Sequence, residues 1–211
     1  MAIIAYPRYC GVVLSAGAST RMGRTKALLP WPPDNQEGST LLSSAITALK
    51  TTANSVVVVV GKNRDEIAPV TAAYDANLIV NPDPDRGHFS SMQVGLREMA
   101  RLGYNTAIIT PVDRPPLSAE NLRKLCDSFS NSAANIWALI PTHGGRNGHP
   151  LIAGPQLVEA LLRAPVESNA HEVMTACADH ITHVEVDDPT VTLNVNTPED
   201  YEQLTTLLKR K

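Results

Sequence analysis

Cys10-Gly11-Val12-Val13-Leu14-Ser15-Ala16-Gly17-Ala18-Ser19-Thr20-Arg21-Met22-Gly23-Arg24-Thr25-Lys26-Ala27-Leu28-Leu29-Pro30 is the stretch from which the fold is read. Cys10 to Leu14 is a short apolar run of the kind found in strands buried on both faces. Small residues follow from Ser15 to Ser19, and Arg21, Arg24 and Lys26 then concentrate positive charge on the same loop. In an open α/β sheet, ligands bind outside the carboxyl ends of the strands. A backbone of small residues there can approach a ligand closely, and its N–H groups can surround a phosphate. The string is not a Walker loop, since no Gly-Lys-Ser or Gly-Lys-Thr follows, and it is not a GxGxxG dinucleotide turn. Taken without its position after a strand, it would read as a solvated glycine-rich turn with surface cations.

Outward from this stretch, apolar runs alternate with amphipathic segments, the pattern of a mostly parallel sheet with crossover helices. Ser55 to Val60, Asn77 to Val80, Thr106 to Thr110 and Ile136 to Ile140 read as further strands buried on both faces, and Leu151 to Ala153 and Ile181 to Val186 as partly antiparallel ones. Apolar residues recur at helical spacing in Leu41 to Leu49, Met92 to Leu102 and Leu117 to Phe129, each after a Ser or Thr able to cap the first turn. Thr197-Pro198-Glu199-Asp200 reads as an N-cap, a proline at the first helical position and acids on the positive helix end. A last helix is therefore expected from Pro198 towards Leu208. Trp31 to Ser39 is the most loop-like insertion. The expectation is an α/β fold of one domain over residues 1–211, three layers deep, with a doubly wound sheet.

With 211 residues, 43% hydrophobic and 18% charged, the chain can build one sizeable core, whereas two would each be small. The net charge of −3 gives no footprint for nucleic acid or an anionic membrane, so any phosphate site must be local. No segment approaches the ~20 apolar residues of a membrane span, and Met1 to Tyr9 lacks a basic region followed by an apolar stretch. The cytoplasm is the expected compartment. Cys10, Cys126 and Cys177 form no CxxC pair or zinc spacing and are expected as reduced core thiols.

Further segments carry candidate chemistry. Thr110-Pro111-Val112-Asp113-Arg114-Pro115-Pro116-Leu117 ends a predicted strand, where a carboxylate points into the crevice and offers an oxygen to a hard cation. Asp113 is the leading metal ligand. An Asp shortly before prolines also shapes turns. Asn81-Pro82-Asp83-Pro84-Asp85-Arg86-Gly87-His88-Phe89-Ser90-Ser91-Met92 contains serines that would cap the following helix with or without a ligand. In Gly144-Gly145-Arg146-Asn147-Gly148-His149-Pro150, His149 is either functional or a satisfied polar group. In Asn194-Val195-Asn196-Thr197-Pro198-Glu199-Asp200 the two amides can ligate Mg²⁺ but neutralise no charge.

Taken in order, these segments resemble the molybdenum-cofactor nucleotidyltransferase family over about residues 10–205. The first loop is similar to the family's AAG, Ser, variable residue, Arg-Met-Gly, two variable residues, Lys, apolar pair and Pro, with Ser15 in place of the first alanine. Asp113-Arg114-Pro115 resembles its Asp-Gln-Pro element. Asn81 to Ser91 resembles its nucleotide-side segment. Arg146 to Pro150 resembles an Arg-Gly-His-Pro segment facing the acceptor, with Asn147 where Arg is usual and Arg146 one place early. Asn194 to Asp200 resembles its Thr-Pro-Glu-Asp ending. Where cytidylyl-type relatives carry Gly-Asp-Xaa-Gly-Ala-Arg, this chain has Pro165-Val166-Glu167-Ser168-Asn169-Ala170-His171.

The resemblance implies a Rossmann-like, GT-A-like nucleotidyltransferase, with a nucleotide half to about residue 115 and an acceptor half from about 116. It implies transfer of a nucleoside monophosphate, with pyrophosphate released, to molybdopterin or its molybdenum-loaded form, and a molybdoenzyme as a possible client. Leu14, Ser15, Ala16, Gly17, Ala18, Ser19, Arg21, Lys26, Asn81 and Ser91 would bind the nucleotide. Arg146, Gly148, His149 and Pro150 would face the acceptor. Asp113, Asn194 and Asn196 would meet Mg²⁺, and Arg21, Lys26 and Asp113 would carry the catalysis. The Ala16-Gly17-Ala18-Ser19 loop resembles that of CTP users more than the Gly-Gly form frequent among GTP users. Two alternatives share these residues: a nucleotidyltransferase for a sugar phosphate or another phosphorylated metabolite, and a non-catalytic nucleotide- and cofactor-binding maturation protein.

Overall fold

Valine and isoleucine runs form strands here because helices cover the sheet on both faces. In the computed structural model, which describes residues 7–33, 38–165 and 167–208, β1 (Tyr9–Ser15) is buried along its whole length. It pairs in parallel with β2 (Ser55–Val60) on one side and β4 (Thr106–Pro111) on the other. β3 (Asn77–Val80) lies outside β2, also parallel. Beyond β4, β7 (Leu151–Ala153) runs antiparallel to both β4 and β5 (Ala138–His143). The short β6 (Arg146–Asn147) folds back on the end of β5, and β8 (Ile181–Glu185) pairs with β5 in parallel. The order is β3-β2-β1-β4-β7-β5-β6. The chain therefore winds outward from β1 to β3, returns, and continues from β4 on the other side, which puts a topological switch point between β1 and β4.

Alternation along the strands divides the core. Val13, Val58, Val60 and Ile108 pack with Leu42, Ile46 and Leu49 of α1 (Leu41–Lys50), Ile67 of α2 (Arg64–Ala73), and Leu122 and Leu125 of α4 (Ala119–Ser130). Val12, Leu14, Val57, Val59 and Ile109 face α3 (His88–Arg101) and α5 (Pro155–Arg163), with α6 (Ala170–Ala176) adding Val173 and Met174 at the margin. A smaller cluster joins Met22, Leu29 and Leu41 to Val195 and to Leu204 of α7 (Pro198–Leu208). It fastens the cationic loop to the C-terminal segment. Cys10, Cys126 and Cys177 are free, buried thiols, and among the described residues no helix is long and apolar enough to cross a membrane.

Several expectations need correction. β3 is an edge strand with Asn77 and Val80 exposed, not buried on both faces. β8 is parallel, and the antiparallel member is β7. β5 starts at Ala138, past Trp137, whose ring stacks on His180 at 3.8 Å and whose N–H donates to the His180 carbonyl at 2.7 Å. α3 starts at His88, so Ser90 and Ser91 lie inside its first turn and Gly87, with φ 93°, precedes it. α4 starts at Ala119, with Ser118 as cap. The expected caps at Thr40 and Thr197 are formed, with Ser43 and Asp200 as reciprocal partners. Helices α2, α5 and α6 have no counterpart in the sequence reading. Of the replaced segment 165–171, Val166 lies outside the described residues, and Asn169 caps α6 by accepting from the Glu172 N–H at 3.0 Å.

Candidate active site

The loop after β1 is folded by its own small residues. Ser19 takes a left-handed φ of 51° and Gly23 one of 68°, which reverse the chain around a single helical turn at Thr20–Met22. The Ser19 hydroxyl accepts from the Lys26 backbone N–H at 3.2 Å. Ser19 thus positions the Lys26 backbone through its hydroxyl oxygen. A Cβ at Gly17 would meet no atom within 4 Å, so the space in front of this glycine is open. The N–H groups of Gly17, Ala18 and Ser19 have no acceptor among the described residues. Arg21 and Arg24 are exposed, with no ion-pair partner among those residues.

Lys26 is drawn across the switch point. Its ammonium lies 3.2 Å from Asp113 Oδ2 and 3.1 Å from Asn196 Oδ1. The Lys26 and Asp113 side chains are only 14% and 24% exposed, so this pair is partly shielded from water and stronger than a surface ion pair. Asp113 is held from both sides: the neighbouring Val112 N–H donates to the Leu14 carbonyl at 3.0 Å, and the Val195 N–H donates to the Asp113 carbonyl at 2.8 Å. Asn196 is held by its own N–H on Asp200 Oδ2 at 2.8 Å. Residues 26, 113 and 196 thus meet from three separate connections. Asn194 is exposed and stands outside this cluster of contacts. No cluster of three or more His, Cys, Asp or Glu suited to a metal occurs among the described residues.

Two residues that the sequence reading passed over lace β1 to β2. Asn63 donates from Nδ2 to the Ser15 carbonyl at 2.8 Å and accepts the Gly61 N–H at 3.1 Å. A Cβ at Gly61 would fall 2.7 Å from the Ala16 carbonyl oxygen, so only glycine permits this approach. The available signal was Gly61-Lys62-Asn63 directly after a run of valines. Asn81 and Ser91, both expected on the nucleotide, bond to one another: Asn81 Nδ2 donates to Ser90 and Ser91 Oγ at 3.0 Å each, the second bond buried, while its Oδ1 accepts the Asp83 N–H at 3.0 Å. Both N–H donors of the Asn81 amide are used inside the protein, and the side chain shapes the turn from β3 to α3.

The 146–150 segment packs against residues 189–192. A Cβ at Gly148 would sit 2.6 Å from the Val191 carbonyl, and the His149 N–H donates to that carbonyl at 2.9 Å. Arg146 is exposed and donates to Thr192 Oγ1 at 3.1 Å. Pro150, buried, follows a cis peptide bond. Arg114 donates to the Thr192 and Leu193 carbonyls, at 3.3 and 3.0 Å. His149 turns inward and lines a cavity of about 20 Å³ with Arg114, Thr110 and Pro115. Burial pushes its pKa down to about 4, aided by the charges of Arg114 and His88 and opposed by Asp113. Buried side-chain atoms without a partner among the described residues are Ser15 Oγ, Arg114 Nε and His149 Nδ1.

A doubly wound sheet with a cationic small-residue loop after its first strand and a carboxylate across the switch point is the construction of a nucleotidyltransferase. The chain belongs to the MobA-like NTP transferase domain family, which residues 11–184 match. It is 28% identical over 192 residues, 90% of this chain and 92% of the other, to a molybdenum cofactor cytidylyltransferase of Escherichia coli K12. It is 30% identical over 196 residues, 92% and 90% of the two chains, to a probable molybdenum cofactor guanylyltransferase of Rhodopirellula baltica. Among solved structures, Rv0371c of Mycobacterium tuberculosis superposes with a TM-score of 0.77 at 21% identity, covering 94% and 98% of the chains. That protein has also been solved in complex with manganese (TM-score 0.71, 20% identity, with the same shares covered).

Proposed function

We propose that the protein transfers the cytidylyl group of CTP to the terminal phosphate of molybdopterin or its molybdenum-loaded form, with release of pyrophosphate, and that GTP is a poorer donor. The observation that carries this reading is the meeting of Lys26, Asp113 and Asn196 beside a loop with unpaired N–H groups. The preference for CTP rests on the Ala16-Gly17-Ala18-Ser19 loop and on the likeness to the Escherichia coli protein. Residues to about 115 would serve the nucleotide and those from about 116 the acceptor, with Arg146 to Pro150 on the acceptor side. A molybdoenzyme would be the client.

The donor set suits a hard divalent cation such as Mg²⁺. Asp113 offers a carboxylate and Asn196 an amide oxygen, both directed at the point where a cationic group already stands. Asn194, exposed nearby in sequence, would be a weaker oxygen donor. Bound there, the cation would stabilise charge building on the transferred phosphoryl group. The chain's own residues hold and align two polyanions: the Gly17 to Ser19 N–H groups and Arg21 on the phosphates, and Lys26 as a mobile positive charge. The acceptor's phosphate monoester is already largely ionised at neutral pH, so no side chain has to remove a proton. With its pKa pushed down to about 4, His149 is neutral at that pH and adds no charge to acceptor binding.

Pyrophosphate release with CTP, GTP, ATP and UTP, each with molybdenum cofactor as acceptor, tests this reading. CTP is expected to exceed GTP in kcat/KM by about tenfold or more, a difference of ~1.4 kcal/mol. A tenfold preference for GTP contradicts the base assignment. Nucleotide binding without pyrophosphate from any pair favours the non-catalytic carrier, the reading to which the uncharged amides at 194 and 196 lend support.

A further inference from the structure

We infer that the Lys26 ammonium and the divalent cation exclude one another from the Asp113–Asn196 pair, so that metal enters together with the triphosphate that draws Lys26 away. This rests on the reading of Asp113 as a metal ligand given above. The ammonium bridges Asp113 Oδ2 at 3.2 Å and Asn196 Oδ1 at 3.1 Å, and so stands between the carboxylate and the amide that a metal bound to both would have to join. A magnesium ion holds oxygens at about 2.0–2.1 Å, so the two cations cannot share this pair without close repulsion.

Which partner yields follows from the way each is held. Asp113 is fixed through its backbone on Val195, and Asn196 through its backbone on Asp200. Lys26 is likewise held through its backbone, its N–H on Ser19 Oγ and its carbonyl accepting the Leu29 N–H, but its four-carbon stem, longer than the side chains of Asp113 and Asn196, can carry the ammonium elsewhere. With the ammonium on Asp113 Oδ2 the carboxylate's charge is balanced by Lys26, and the Asn196 oxygen beside it brings no charge. A dication therefore meets a site without net attraction. A triphosphate changes both terms at once, by adding phosphate oxygens for the metal and a polyanion towards which Lys26 can turn. Metal and nucleotide should then bind with positive, reciprocal coupling.

Binding of Mn²⁺ to the full chain, followed by the paramagnetic resonance signal of free Mn²⁺, tests this without turnover. Wild type, Lys26→Met and Asp113→Asn are titrated alone and with a non-hydrolysable CTP analogue, with the metal bound by the analogue itself subtracted. Lys26→Gln replaces the methionine variant should that one fail to fold. Without nucleotide, Lys26→Met is expected to bind Mn²⁺ about tenfold more tightly than wild type. The analogue should raise wild-type affinity by about tenfold or more and that of Lys26→Met by clearly less. Equal affinity of wild type and Lys26→Met without nucleotide overturns the exclusion while leaving Asp113 a metal ligand. Mn²⁺ binding no better than in Asp113→Asn, with nucleotide present, overturns the exclusion and the metal reading together.

Discussion

His149 is surrounded by Arg114, His88 and Asp113, and burial dominates its titration by moving the pKa from 6.5 to about 4. The unfolded chain takes up this proton near pH 6.5 and the folded chain only near 4, so the stability tied to the neutral ring is complete above 6.5. It is lost as pH falls through that interval. Replacing His149 by Gln should remove about 1–3 kcal/mol of the pH dependence between 6.5 and 4. Melting temperatures of both proteins across that range measure it. Parallel curves would show that the ring titrates as it does in water. At this scale the sequence was most informative at charged residues that follow strands: Lys26 and Asp113 were legible as candidates from those places. Asn63 was not, because an Asn after a valine run looks like any turn residue until Ser15 and Gly61 are seen on either side of it.

Helix α3 shows what local pattern can and cannot specify. Its apolar spacing was legible from Met92 onward. Its start at His88 was not, because Gly87 at φ 93° rather than a serine cap sets the boundary. Gly95 lets this helix lie directly on the sheet: a Cβ there would be 2.6 Å from Val12 Cγ1 and 2.8 Å from Val59 Cγ2. Both valines are β-branched and buried, so neither side chain can swing aside easily. Gly95→Ala should therefore destabilise by about 1–2 kcal/mol, since overpacking outweighs the ~1 kcal/mol gained in helix propensity. Urea unfolding measures this, and a variant more stable than wild type would show that α3 can shift. The missed helices have similar causes. Pro69 lies inside α2 and hid it, because a proline in a helix interior normally breaks the pattern. The direction of β8 was hidden for another reason: it depends on β7 being inserted between β4 and β5, a long-range choice that short apolar runs do not encode.

The whole chain places its site by bringing together segments far apart in sequence. The first loop, the turn after β4 and the segment before α7 meet because one sheet aligns two of them and the Met22, Leu29, Leu41, Val195 and Leu204 cluster fastens the third. The sheet was legible as alternating strands and helices, and the order of the candidate segments pointed to one crevice. The contact of Lys26 with Asn196 emerges only once the C-terminal segment is folded over the loop. In the proposed transfer Asp113 acts through its charge at this meeting point rather than through the turn it occupies. Asp113→Asn retains a carbonyl oxygen and the side-chain shape, and removes the negative charge. Mg²⁺-dependent pyrophosphate release from CTP, with molybdenum cofactor as acceptor, should fall by about a hundredfold or more in a variant that stays folded, its melting temperature lowered only by the loss of the partly shielded Lys26 pair. A folded Asp113→Asn variant with full activity would contradict this role.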